Sequence, residues 1–117
     1  CAADAICCDG YIANKVGTFQ ISIAANYLGV PVYISGIPDK GHPTVDTVHI
    51  EMRNPQDTLE AMGVKTAADG VKGYYPAFDI TPPQLITGVV TDLGIYSPYD
   101  LKQYLEVSQL GPYEMVI

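Results

Sequence analysis

Asn14-Lys15-Val16-Gly17-Thr18-Phe19-Gln20-Ile21-Ser22-Ile23-Ala24-Ala25-Asn26-Tyr27-Leu28, closed by Gly29 and followed by Val30-Pro31-Val32-Tyr33-Ile34-Ser35, is the stretch whose reading sets the fold class. Val16, Phe19, Ile23 and Leu28, with Ala24, Ala25 and Tyr27, recur at near-helical spacing, which predicts one amphipathic helix from Asn14 to Leu28. The short apolar run after Gly29 predicts a strand buried on both faces. An apolar start around Ala3-Asp4-Ala5-Ile6 precedes the helix. Strand, helix and buried strand make a βαβ unit, so the expected class is α/β, with a Rossmann-like parallel sheet and flanking helices.

In such a sheet, ligands bind where strands end and loops turn into helices. Asp4 is expected at a strand end, and Asn14-Lys15 ten residues later at the start of the helix. Unpaired N–H groups at a helix start attract anions. Lys15 adds a point charge suited to phosphate, and Asn14 either caps the helix or donates its amide to a ligand. Asp4 comes only three residues after the first residue, so the strand that should carry it is nearly absent. Residues 1–117 therefore read as part of one α/β domain whose upstream portion lies elsewhere.

Downstream, Gly36-Ile37-Pro38-Asp39-Lys40-Gly41-His42-Pro43 is dense in turn formers and reads as a loop following a strand, placed to approach the ligand site. His42 is its candidate for substrate contact, against the plainer reading of a solvated loop histidine. Val45 to Met52 alternates as an edge strand does. Asn54-Pro55 predicts a short helix through about Met62, ended by Gly63, with an irregular polar surface segment after it. Tyr74 to Pro83 forms a stiff aromatic loop in which Asp79 is expected to hold the backbone by accepting from N–H groups. Gln84 to Ile86 predicts a helical turn and Thr87 to Thr91 a buried strand. Asp92-Leu93-Gly94 predicts a turn, Ser97-Pro98 the cap of a helix from Tyr99 to about Val107, and Met115-Val116-Ile117 a terminal strand.

A net charge of −7 with six Lys and Arg lacks the basic footprint of a nucleic-acid surface. No apolar run approaches the roughly 20 residues of a membrane-spanning helix. The expected partner is a phosphorylated small molecule, with neither nucleic acid nor membrane involved. Cys1, Cys7 and Cys8 crowd one segment, unlike a spread disulfide framework, and read as small buried hydrophobes in a reducing cytoplasm. His42 and His49 lack partners at metal-ligand spacing, so no metal is expected.

Ala3-Asp4-Ala5-Ile6, then Asp9-Gly10-Tyr11-Ile12-Ala13-Asn14-Lys15-Val16-Gly17-Thr18, then Tyr75-Pro76-Ala77-Phe78-Asp79-Ile80-Thr81-Pro82 with Leu85-Ile86-Thr87-Gly88-Val89-Val90-Thr91, resemble the C-terminal domain of the sugar-1-phosphate isomerase family. That family includes methylthioribose-1-phosphate isomerases of methionine salvage, ribose-1,5-bisphosphate isomerases, and regulatory subunits of the translation initiation exchange factor. The resemblance implies Asp4 as the catalytic acid/base, matching a Gly-Ala-Asp step in which Ala2 replaces glycine. It implies Asn14 and Lys15 as substrate contacts. Aspartate at position 4 favours the enzyme branch, since the initiation-factor relatives tend to carry glutamate there.

The implied reaction converts a cyclic aldose 1-phosphate to a ketose 1-phosphate without a cofactor, in a cytoplasmic homodimer. The phosphate blocks ordinary ring opening, so an acid must serve the ring oxygen while a base or relay serves the adjacent carbon. Asp4 would need a desolvated setting, as a packed strand end provides. The family's second catalytic residue, an upstream cysteine, has no match here, which implies that this chain alone does not turn over substrate. Ala13 leans toward the methylthioribose enzymes, and His49-Ile50-Glu51-Met52-Arg53 toward ribose-1,5-bisphosphate isomerases. A non-catalytic regulatory or sugar-phosphate-binding module is the alternative from another class.

Overall fold

The computed structural model describes residues 1–108, and the expected strand at Met115-Val116-Ile117 lies outside them. The described residues form a mixed α/β structure with three small sheets and two α-helices. The first sheet is antiparallel, with β1 (Ala5–Ile6), β2 (Ile12–Lys15) and β6 (Phe78–Thr81) in that order. The second has the order β3 (Tyr33–Ser35), β7 (Gly88–Thr91), β8 (Gly94–Tyr96). Its β3–β7 pair is parallel and its β7–β8 pair antiparallel. A hairpin of β4 (Glu60–Ala61) and β5 (Val64–Lys65) stands apart.

Ile6, Ile12, Ile34, Ile86, Val89 and Leu101 form one buried cluster, so both larger sheets and α2 (Leu101–Ser108) share a core. The segments around Gly10 and Pro98 meet tightly, for Gly10 has φ +91° and any Cβ there would collide with the Pro98 carbonyl. Only glycine tolerates both the left-handed backbone and that approach.

The expected helix shortens at its start. Asn14 and Lys15 lie on β2, and α1 runs Thr18–Tyr27. Residues 12–15 are drawn into a strand because Phe78–Thr81 pairs with all four, Asn14 opposite Asp79. A partner 60-odd residues away leaves no local signal, and tertiary pairing overrides the helical period. The buried residues of α1 are Thr18 and Ser22, while Ile21, Ile23, Tyr27 and Leu28 are exposed. The expected amphipathic face is therefore reversed: small hydroxyl residues pack inward, with the Ser22 hydroxyl satisfied by the Thr18 carbonyl at 2.8 Å.

β3 is also less enclosed than expected, for Ile34 is fully buried but Tyr33 and Ser35 are exposed. The predicted edge strand at 45–52 is instead a 3-10 turn, Val45–Thr47, followed by an isolated bridge from Met52 to Pro76. The helix predicted from Asn54 stops after the 3-10 turn Pro55–Thr58, which Asn54 does cap by accepting from the Gln56 N–H at 3.1 Å. Gly63 then ends no helix. With Met62 at φ 53° and Gly63 at φ 77° it forms the two-residue turn of the β4–β5 hairpin, and two consecutive positive φ values match the hand of a tight hairpin. The predicted helical turn near Gln84, the strand β7 and the turn at Asp92-Leu93-Gly94 are all present. The last helix begins at Leu101, two residues later than expected, with Ser97 Oγ accepting from the Tyr99 N–H at 3.2 Å before it.

Candidate active site

Asp4 stands at a corner between the two larger sheets. Before it, the first residues run parallel to β3: Ser35 N–H donates to the Cys1 carbonyl at 2.7 Å and Ala3 N–H to the Ser35 carbonyl at 2.9 Å. After it, the chain enters β1 of the other sheet. Asp4 N–H itself donates to the Ala13 carbonyl at 3.1 Å, which ties it to the residue preceding Asn14. Asp4 is thus at the carboxyl end of a parallel strip, where α/β sheets place ligands. Its side chain is exposed rather than packed, so the desolvated setting expected for it is replaced by the mouth of a cleft.

That cleft, about 450 Å³, is lined by Asp4 and Ala5, by the loop Ile37 to Lys40, and by Tyr104, Leu105 and Ser108 of α2. Lys40 is its cation. A tight turn presents it: His42 N–H donates to the Asp39 carbonyl at 3.0 Å, and Gly41 N–H to Asp39 Oδ1 at 2.8 Å. The turn is pinned to the first sheet, since Asp39 N–H donates to the Ile6 carbonyl at 2.9 Å and Cys8 N–H to the His42 carbonyl at 3.0 Å. The turn-rich loop after β3 does reach the cleft, but through Lys40. His42 is half-buried and occupied, with Nδ1 3.0 Å from Thr47 Oγ1. The signal for Lys40 was in the sequence: it is the one cation of a glycine- and proline-rich loop leaving a strand's carboxyl end.

Asn14 and Lys15 do not line this cleft. Asn14 donates to Thr18 Oγ1 at 3.2 Å, and Lys15 is exposed at the end of β2. The helix start beside them is already filled. Asp79 Oδ2 accepts from the Gly17 N–H at 2.7 Å, and both its oxygens lie 3.2 Å from the Phe19 nitrogen as acceptors. A carboxylate on these N–H groups satisfies the positive end of α1, so the anion expected there is the protein's own. Asp79 holds backbone N–H groups as expected, but it does so from strand β6 and not from a loop, because residues 78–81 of the predicted aromatic loop pair with β2.

The thiols are free. Cys7 is buried, and desolvation together with the nearby charge of Asp9 pushes it up to about 11. Cys8 is raised too, by burial first and then by Asp39. A thiol kept protonated is a poor nucleophile. Cys1 is exposed, unlike the buried cysteine expected. Among the described residues no group of three His, Cys, Asp or Glu side chains could hold a metal ion, and no helix is long and apolar enough to cross a membrane.

A family profile described as the Initiation factor 2 subunit family matches residues 2–98. The chain belongs to that family. Within it, the chain is 40% identical over 106 residues to the methylthioribose-1-phosphate isomerase of Nematostella vectensis, covering 88% of this chain and 30% of that protein. It is 43% identical over 109 residues to a 5-deoxyribose 1-phosphate isomerase of Clostridium botulinum, covering 88% and 31%. The crystal structure of 5-methylthioribose 1-phosphate isomerase from Pyrococcus horikoshii OT3 superposes with a TM-score of 0.79 at 35% identity, over 91% of this chain and 31% of that one. Subunit delta of the translation initiation factor eIF-2B from A. fulgidus gives 0.75 at 30% identity, over 87% and 30%. The chain thus spans about three tenths of the length of these family members.

Proposed function

We propose that the complete protein carrying this chain is a sugar-1-phosphate aldose–ketose isomerase that converts 5-methylthioribose 1-phosphate to 5-methylthioribulose 1-phosphate, a step of methionine salvage. The observation that carries the reading is the corner at Asp4, where a carboxylate ends a parallel strip and faces a cleft whose opposite loop holds Lys40. The two named isomerase relatives support it, both acting on pentose 1-phosphates. In this reading residues 1–117 belong to a C-terminal Rossmann-like domain whose parallel sheet the β3–β7 pair represents, and the protein works in the cytoplasm as a homodimer.

Asp4 acts as the acid/base at the ring or hydroxyl oxygens. Asn14, one residue beyond the carbonyl that anchors Asp4, orients the sugar hydroxyls, and Lys15 and Lys40 supply charge for the phosphate. The second catalytic group, a cysteine upstream of this chain, completes the site.

Lys40 also favours a second reading. A substrate with two phosphates offers the cleft's cation a second anion to meet, and ribose 1,5-bisphosphate is that substrate.

Asp4→Asn in the complete protein tests the isomerase reading. We expect kcat to fall by about a hundredfold or more, the range for losing an acid/base group, with substrate still bound. Near-wild-type turnover removes Asp4 from the chemistry. If the wild-type protein binds the sugar phosphate but turns over neither substrate, it is a non-catalytic sugar-phosphate-binding module.

A further inference from the structure

Past residue 98, the last one matched by the family profile, the chain folds into α2 and contributes the third wall of the Asp4 cleft. Leu101, Tyr104, Leu105 and Ser108 follow the i, i+3, i+4, i+7 spacing of one helix face, with Lys102, Gln103 and Glu106 exposed on the other side. Leu101 is 1% exposed within the common core and anchors the helix. The other three line the cleft.

The chemistry of this wall differs from that of the wall it faces. Tyr104 donates its hydroxyl to Asp92 Oδ1 at 2.8 Å, and its ring meets Tyr96 edge-on with centroids 5.6 Å apart. Burial, with the Asp92 hydrogen bond, pushes the phenol up to about 12, so it stays neutral. Ser108 donates its hydroxyl to the Leu105 carbonyl at 3.0 Å. Both hydroxyls of the wall are committed within the protein, leaving the half-buried Leu105 and the edge of the largely buried Tyr104 ring to meet a ligand, flanked by Ile37 and Pro38 from the loop. Asp4, Asp39 and Lys40 put all the charge of the cleft on the remaining walls.

We infer that α2 is a specificity element of this active site, in which Leu105 and the Tyr104 ring receive the uncharged C5 substituent of the sugar while Asp4 and Lys40 face its polar end. The inference rests on the isomerase reading and deepens it. A phosphate at C5 finds no free donor on the cleft face of α2 and would be desolvated against apolar atoms, an unfavourable exchange. A methylthio or methyl group there is buried favourably.

The test is kcat/KM of the complete protein, wild type and Leu105→Ala, on three substrates: 5-methylthioribose, 5-deoxyribose and ribose-5-phosphate, each as its 1-phosphate. Wild type is expected to favour the methylthio substrate over the bisphosphate by at least about tenfold, the discrimination an apolar pocket gives. In Leu105→Ala that ratio is expected to fall about tenfold, through KM rather than kcat, with the shorter 5-deoxy substrate less affected. Equal proportional losses on all three substrates would mean that Leu105 is only structural and would overturn the inference. If Leu105→Ala fails to fold, the wild-type series still decides, because preference for the bisphosphate removes α2 from the C5 subsite. Absence of turnover on all three with wild type sinks the isomerase reading itself, and the specificity assignment with it.

Discussion

The start of α1 and the cleft at Asp4 are built from the same materials, a strand end, a loop and charged side chains, yet one is closed and the other open. At α1, Asp79 arrives from β6 and its carboxylate takes the N–H groups of Gly17 and Phe19. At the cleft, Asp4 and Lys40 line a shared space of about 450 Å³. A helix start attracts anions, but an internal carboxylate held by sheet pairing outcompetes a diffusible one, because its ordering cost is met by folding. Open sites lie where the chain supplies charge without supplying its partner.

The largest effect should come from breaking the closed end. Asp79→Ala removes a carboxylate bonded to two backbone N–H groups, and charge-assisted hydrogen bonds contribute about 1.5–3 kcal/mol each. A loss of about 3 kcal/mol in urea unfolding of the complete protein is expected. An unchanged midpoint would mean that solvent or a ligand serves the helix start equally well, and the contrast with the cleft would collapse.

The thiols sharpen the same contrast between closed and open. At pH 9 an ordinary exposed cysteine is about half ionised, whereas a thiol at about 11 is ionised only to about one part in a hundred. Iodoacetamide at pH 9 should therefore label the exposed Cys1 about fiftyfold faster than Cys7, with the Cys7 rate climbing as pH rises toward 11. Equal labelling by mass spectrometry would show that the floor of the first sheet opens. The smallest effect is expected at the cleft's cation. Lys40→Ala should weaken binding of the phosphorylated sugar about tenfold, and more than Lys15→Ala does, since Lys40 lines the cleft and Lys15 does not. The reverse order, read by calorimetry, would return the phosphate to the end of β2.

What could be read without the structure follows the range of the interactions involved. The helix of α1, β7 and the turn at Asp92 are governed by neighbours within a few residues, and local pattern reveals them. So is the turn-rich loop that carries Lys40. The helix predicted from Asn54 failed on a local ambiguity, since Gly63 suits a helix end and a hairpin turn alike.

Asp4 as a candidate carboxylate, Asn14 and Lys15 near it, and an α/β class were determined by the sequence itself, through the composition and spacing of contiguous motifs. Only the tertiary structure decided which charges meet. Pairing of β2 with Phe78–Thr81 turned Asn14 and Lys15 from helix start to strand and delivered Asp79 to α1. The turn at Asp39–His42, pinned to Ile6 and Cys8, carried Lys40 to the cleft. Packing of Leu101 into the core swung α2 over the same space from about a hundred residues away. Such contacts depend on where separate segments are brought by a shared core, and no periodicity within a segment encodes that.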